Sequence, residues 1–289
     1  MEYINAIVQG IVQGLTEFLP VSSSGHLSLV QHFTGIRGEE AVFLTVMLHV
    51  GTLLAVFVAF RELIGKLIVE FFRMLGDIFT GKFRWKTMNG ERRMIIMLVI
   101  ATLPLIFIYI FRDIFVSVAS DDDILVEGIC FLFTSVLLFF ADRSTRGAKR
   151  PGNITAGDAV TVGIFQSVAV LPGVSRSGAT ISSAMLCGMT KETAVQFSFL
   201  LGIPPIVAGA LVDAKELAEA GGGIEWVPTL IGMAVSAFVG FLAIKLLAWL
   251  IRSDKLKIFA VYTLVLGVLV IAAAVYEYQT GELLFSFAR

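Results

Sequence analysis

Two apolar stretches of this chain, about 4–33 and 155–189, are each interrupted in the middle by small and polar residues. The first break reads Pro20-Val21-Ser22-Ser23-Ser24-Gly25, and the second reads Pro172-Gly173-Val174-Ser175-Arg176-Ser177-Gly178. Unpaired backbone has no hydrogen-bond partner in hydrocarbon, so such a break is tolerated only where it lines a protein cavity. Both stretches are therefore expected to be re-entrant helix–loop–helix elements rather than plain spans.

Six other segments are long enough to cross a bilayer, which takes about 20 helical residues. They run approximately 41–60, 94–111, 124–141, 194–212, 227–251 and 258–276. The composition agrees: 57% of the residues are apolar, 16% are charged and the mean hydropathy is +0.87. These values exclude a disordered tail, and two cysteines exclude a disulfide scaffold. A net charge of −1 argues against nucleic-acid binding. Cys130 and Cys187 lie far apart in apolar segments, without the spacing of metal ligands.

Basic loops set the expected orientation. The 61–93 connection, the 142–150 loop and the 252–257 loop are rich in Lys and Arg and should be cytoplasmic. Asp121-Asp122-Asp123 and Asp213, Glu216, Glu219 and Glu225 fall in the connections between them. The charges are consistent if the first re-entrant element enters from outside and the second from inside, with both termini outside. Ile4–Leu19 lacks the basic start of a signal peptide, and Glu17 sits within it, so no cleavage is expected.

Residue n also matches residue n+153 without gaps across the breaks, with seven of sixteen positions identical over 10–25. Each break precedes three spans, and the topology places the two units upside down relative to each other. The fold expected is thus an all-α membrane protein with an inverted-topology repeat, six transmembrane helices and two re-entrant elements. Its halves are 1–141 and 142–289, in one membrane domain. Broken helices of this plan meet near the midplane and build the site.

Few ionisable groups lie inside the membrane: Glu17, His26, His49 and Arg176. Such groups are costly in lipid and mark function when they face a cavity. Gln13 and Glu17, four apart, share one helix face pointing into the first break. Each break restarts a helix whose N-terminus offers backbone N–H groups and serine hydroxyls to an anion. Arg176 adds a planar cation suited to phosphate. Glu17 would repel phosphate unless it holds a divalent metal, takes a proton or pairs with Arg176. His26 could deprotonate a serine or attack phosphorus itself.

The run from Gln13 to His26, Gln-Gly-Leu-Thr-Glu-Phe-Leu-Pro-Val-Ser-Ser-Ser-Gly-His, resembles the first signature of the undecaprenyl-diphosphate phosphatase family, also called the bacitracin-resistance family. The run from Pro172 to Thr180 is similar to its second signature. The family has Glu or Gln four residues before its Glu, and this chain has Gln13, so one candidate carboxylate is absent. The resemblance implies a multi-pass enzyme of the inner (plasma) membrane, with an active site open to the outer face. It implies removal of the terminal phosphate of a C55 polyprenyl diphosphate, recycling the carrier for cell-wall synthesis and giving bacitracin resistance. A divalent cation, Mg2+ or Ca2+, is implied at Glu17; a homodimer is compatible and nucleic acid is not involved. By motif match Glu17, Ser23, His26 and Arg176 are expected to be catalytic. Gln13, Ser22, Ser24, Gly173, Ser175, Ser177 and Thr180 are expected to bind substrate. Ser23 Oγ is the favoured nucleophile, with His26 or Glu17 managing its proton; attack by His26 or by metal-activated water stays open.

Two rivals remain. Inverted repeats with midplane breaks are also a transporter design, so a secondary transporter or flippase of a polyprenyl phosphate lipid is the alternative function. A second lipid-phosphatase family pairs Ser-Gly-His with a later Ser-Arg and a following histidine, but His26, His32 and His49 all precede Arg176. Other polar residues have plainer readings. Thr155 and Asp158 form a capping-box pattern, Glu127 and Lys245 are placed to reach the headgroups, and Pro204-Pro205 to kink a span. Residues 62–88 read as a basic amphipathic stretch on anionic lipid. For His49, a cavity position and a packed one are both open.

Overall fold

The computed structural model describes residues 2–34, 39–85, 88–110, 124–144, 147–220 and 226–281. The acidic run 121–123, Arg37, Lys86, Arg146, Glu225 and residues 282–289 lie outside them, as does the last residue of the span expected at 94–111. Among the described residues the protein is all-helical. Among those residues an isolated bridge, Lys149 to Met189, is the only extended pairing.

In chain order the helices are α1 (Glu2–Phe18), α2 (Ser23–Thr34), α3 (Glu39–Ala59), α4 (Arg61–Phe79), α5 (Gly90–Ile110) and α6 (Leu125–Arg143). After a short 3-10 turn at Pro151–Asn153 follow α7 (Ala156–Val168), α8 (Arg176–Leu186), α9 (Lys191–Ala220), α10 (Trp226–Arg252) and α11 (Lys257–Thr280). Both breaks fall where the sequence places them: between α1 and α2, and between α7 and α8. Four helices, Leu125–Arg143, Lys191–Val212, Trp226–Arg252 and Lys257–Thr280, are long and apolar enough to cross a membrane. The pair Phe43–Ala59 and Arg61–Phe79 would make a fifth if taken as one span, but it bends by 83° at Phe60. Those helices make this a multi-pass membrane protein.

The packing is crosswise. α1 lies along α10, and α7 lies along α5, so each broken element rests on a helix from the other half of the chain. α6 and α11 pair with each other, as do α3 and α9. With little hydrophobic drive between helices in lipid, close approach of small residues supplies the contact. A Cβ on Gly14 of α1 would lie 2.8 Å from the Ser236 carbonyl oxygen of α10. Hydroxyls add bonds across the helices: Ser236 Oγ donates to the Leu48 carbonyl at 2.8 Å, and Ser135 Oγ to that of Ala260 at 2.7 Å. Phe18, at the end of α1, packs edge-on against Phe199 of α9, with centroids 5.3 Å apart.

Several surface expectations can be placed. Thr155 and Asp158 form the capping box at the start of α7, and Lys149 Nζ donates to Asp158 at 2.8 Å. α4 presents Glu70 and Asp77 to Arg92 of α5, at 2.7 and 2.6 Å. The Arg92 hydrogen bond holds the Glu70 carboxyl below its usual range. Glu127 departs from expectation. It does not reach for headgroups; it is 5% exposed and accepts Ser28 Oγ at 2.7 Å. α2 folds back beside α6, and that return covers Glu127.

Candidate active site

Helix α1 ends on the residues that matter. Gln13 and Glu17 are one turn apart, and Gln13 Nε2 donates to Glu17 Oε2 at 2.9 Å. The chain then turns through Leu19–Val21, and Ser22 takes φ 73°, a left-handed conformation costly for a residue with a side chain. This aims Ser23, the first residue of α2, back at α1. Ser23 Oγ donates to Glu17 Oε2 at 2.6 Å.

The second break reaches the same carboxylate from the opposite side. Gly173 takes φ 91°, and a Cβ there would lie 2.7 Å from Cys130 Cβ and from the Glu127 carbonyl oxygen. Only glycine combines that backbone angle with such close approach to α6. Ser175 caps α8 by accepting Gly178 N at 3.0 Å, while its own N–H donates to Thr134 Oγ1 at 3.0 Å. Arg176, first residue of α8, then places Nη2 on Glu17 Oε1. The breaks also touch directly: Ser177 Oγ donates to the Leu19 carbonyl at 3.1 Å. A Cβ on Gly25 would lie 2.9 Å from Gly173 Cα.

A cavity of about 300 Å3 opens above these groups. Its polar wall is Glu17, Ser23, Ser24, Thr45, His49 and Arg176, and its apolar wall includes Val46, Val174, Pro205 and Ile206. Both α2 and α8 begin at this cavity, so two positive helix ends face it alongside Arg176. Such a cavity matches a small polyanion attached to an apolar tail.

Of the residues expected at the site, Gln13, Glu17, Ser23 and Arg176 are joined by direct hydrogen bonds, and Ser24 lines the cavity. The others have partners within the protein. His26 Nδ1 donates to the Ser22 carbonyl at 2.6 Å, and its Nε2 faces Tyr262 Oη at 2.6 Å. Its ring stacks on Tyr262, so the imidazole is turned toward α11. Ser22 accepts Gly25 N at 3.3 Å as a cap. Ser175 and Ser177 hold the second break, and Thr180 donates to the Arg176 carbonyl at 2.7 Å. His49 is the addition. Thr45 fixes it by accepting Nδ1–H at 2.8 Å, and Nε2 stands 3.8 Å from Glu17 Oε2. Its signal in the sequence was an ionisable residue in mid-span.

Among the described residues, Glu17 is the one carboxylate lining this cavity. Among the described residues, no three His, Cys, Asp or Glu side chains gather as metal ligands. Both Glu17 oxygens already accept protein donors. The residues present therefore do not fit a resident divalent ion.

Comparison with known proteins gives the family. The pattern of the bacitracin resistance protein BacA family matches residues 6–269. An undecaprenyl-diphosphatase of Alkaliphilus metalliredigens is 40% identical over 273 residues, covering 94% of this chain and 98% of that protein. One from Bacteroides fragilis is 35% identical over 277 residues, 95% of this chain and 99% of its own. Undecaprenyl-diphosphatase 4 of Bacillus thuringiensis is 34% identical over 273 residues, 94% and 97% respectively. A match over nearly the whole length, including both breaks, means that the chain belongs to the bacitracin resistance protein BacA family.

Proposed function

We propose that this protein is a membrane phosphatase that converts undecaprenyl diphosphate to the monophosphate, returning the lipid carrier to cell-wall synthesis and conferring bacitracin resistance. One observation carries the reading: a serine from one break and an arginine from the other converge on a single buried glutamate. Ser23 Oγ attacks the terminal phosphorus while Glu17, 2.6 Å away, accepts its proton. The P–O bond to the bridging oxygen breaks, and the lipid monophosphate leaves. Water then hydrolyses the phosphoserine to inorganic phosphate and restores Ser23. Arg176 offsets charge on the transferred group, and the two helix N-termini stabilise it further.

The diphosphate brings more negative charge than one arginine offsets. We place the divalent requirement with the substrate: Mg2+ or Ca2+ arrives as counter-ion of the diphosphate, whose oxygens supply ligands that the described residues do not gather. The inverted repeat is supported by the 153-residue correspondence and by the crosswise packing of α1 on α10 and α7 on α5. With the basic loops inside, the cavity residues Thr45, Gly209 and Ala210 lie toward the outer ends of α3 and α9. The site then opens to the outer face of the inner membrane.

Purified protein supplied with undecaprenyl diphosphate in detergent should release inorganic phosphate, and Glu17→Gln should abolish the release. A flippase would leave the diphosphate intact, so absence of phosphate with Mg2+ or Ca2+ present defeats the proposal.

A further inference from the structure

The 153-residue offset runs on past the breaks into α3 and α9. Glu39, Ala41, Val42, Leu48 and His49 face Glu192, Ala194, Val195, Leu201 and Gly202, the first four as identities. The same offset sets Ser23 against Arg176. Two pairs of equivalent positions therefore surround Glu17, and the halves fill them oppositely. In the first half position 23 is short and position 49 carries the imidazole facing Glu17 Oε2. In the second half position 176 is long and position 202 is bare; a Cβ on Gly202 would overlap Arg176 Nη1. Gly202 makes room for the guanidinium, and His49 fills the matching space on the other side of the carboxylate.

That arrangement has a consequence when substrate binds. The groups now on Glu17 are Gln13, Ser23 and Arg176. In the proposed reaction Ser23 keeps its O–H on Glu17 while an oxygen lone pair meets phosphorus, and Arg176 must turn N–H groups to the phosphoryl oxygens. Arg176 withdraws from Glu17 as the diphosphate arrives, leaving a buried carboxylate without its cation and held by Gln13 and Ser23. An underpaired buried carboxylate is costly and free to swing. His49 is the remaining polar group against it, and Thr45 already orients its ring with Nε2 toward Glu17.

Resting on the phosphatase reading, we propose that His49 is a positioning residue that takes hold of Glu17 Oε2 when the diphosphate draws Arg176 away. It keeps the carboxylate within reach of the Ser23 proton. His49 acts on Glu17 rather than on phosphate, so its loss should appear in kcat and not in KM. An amide with the reach of Nε2 should substitute for the imidazole.

The test compares His49→Gln with His49→Asn, two neutral amides that differ in reach. Phosphate release from undecaprenyl diphosphate is measured on purified proteins, beside their thermal unfolding midpoints in detergent. His49→Asn should lower kcat at least about tenfold with KM changed by less than about threefold, and His49→Gln should stay within about threefold of the parent kcat. Equal kcat in both variants, whether high or low, overturns the proposal, as does a loss carried by KM. A variant whose midpoint matches the parent yet breaks this order counts equally against it. If the parent protein itself releases no phosphate, the phosphatase reading fails instead, and the two failures are separate.

Discussion

The two breaks are built alike and do different work. Ser22 and Ser175 each accept the N–H three residues on, from Gly25 and Gly178, at 3.3 and 3.0 Å. Ser22 and Ser24 stand 3.3 Å apart through their Oγ atoms, and so do Ser175 and Ser177. The residue after each cap opens the next helix and points at one shared centre. There the likeness ends. The first break presents a hydroxyl and stands one turn from Glu17; the second presents Arg176, and the equivalent of Glu17 is Val170, which is 45% exposed. The scaffold is repeated while the chemistry is divided: proton and hydroxyl on one side, permanent cation on the other. Neither half contains a site without the other.

The sharpest way to break this division is to treat the serines as equals. Ser23→Ala should reduce phosphate release by about 10^4-fold or more, as loss of a nucleophile does, and should abolish any trapped phosphoenzyme. Ser177→Ala removes one hydrogen bond to Leu19, about 1 kcal/mol, and should cost about tenfold at most. If the two variants lose comparable activity, the hydroxyl chemistry does not belong to the first break. Arg176→Ala tests the other side. Removing an electrostatic partner of the transferred group should cost about 10^2–10^3 in kcat. It also leaves Glu17 buried without its cation, destabilising the fold by about 3–5 kcal/mol. Arg176→Lys should recover stability better than activity, because a point charge replaces a planar fork. Recovery of both together would show that charge alone matters at this position.

How far this division could be read from the residues depends on what a bilayer lets a sequence say. The breaks were legible because a run of serine, proline and glycine leaves backbone groups unpaired, which hydrocarbon does not tolerate. Glu17 and Arg176 were legible because a charge there demands a partner. Helix rotation was not legible. In α3, α10 and α11 both lipid-facing and packed sides are apolar, so periodicity does not tell which side looks inward. His26 follows Ser-Ser-Ser-Gly closely enough to suggest a role beside Ser23, yet α2 turns it onto Tyr262, 236 residues away. Glu127 sat near a span end and read as a headgroup ligand, because nothing local announces that Ser28 will come to cover it. Ser175, Ser177 and Thr180 are expected substrate contacts from the second signature, and their sequence does not announce the bonds they make to Gly178 N, to the Leu19 carbonyl and to the Arg176 carbonyl.

The backbones of the breaks differ as well, with a smaller effect. Equivalent positions 20 and 173 hold proline in one half and a left-handed glycine in the other. Gly173→Ala should destabilise the protein by about 2–4 kcal/mol, from strain at φ 91° plus overpacking on Cys130 and Glu127. A thermal unfolding midpoint in detergent that hardly moves would mean the second break has slack that its contacts do not suggest.

Smaller still is the contrast between the capping serines, and it isolates one angle. Ser22 stands at φ 73° and Ser175 at φ −71°, although both caps accept the equivalent N–H. Replacing a serine cap by glycine costs only a few tenths of a kcal/mol, and added freedom in the unfolded chain costs about 0.5–1 kcal/mol in either variant. These contributions are common to both positions. Relief of the left-handed conformation, about 1 kcal/mol or more, applies at position 22 alone. Ser22→Gly should therefore leave the unfolding midpoint nearly unmoved, whereas Ser175→Gly should lower stability by about 1 kcal/mol. If both midpoints fall equally, the turn after α1 is not strained at Ser22. The aim of Ser23 at Glu17 would then be held by the side chains around it and not by the backbone.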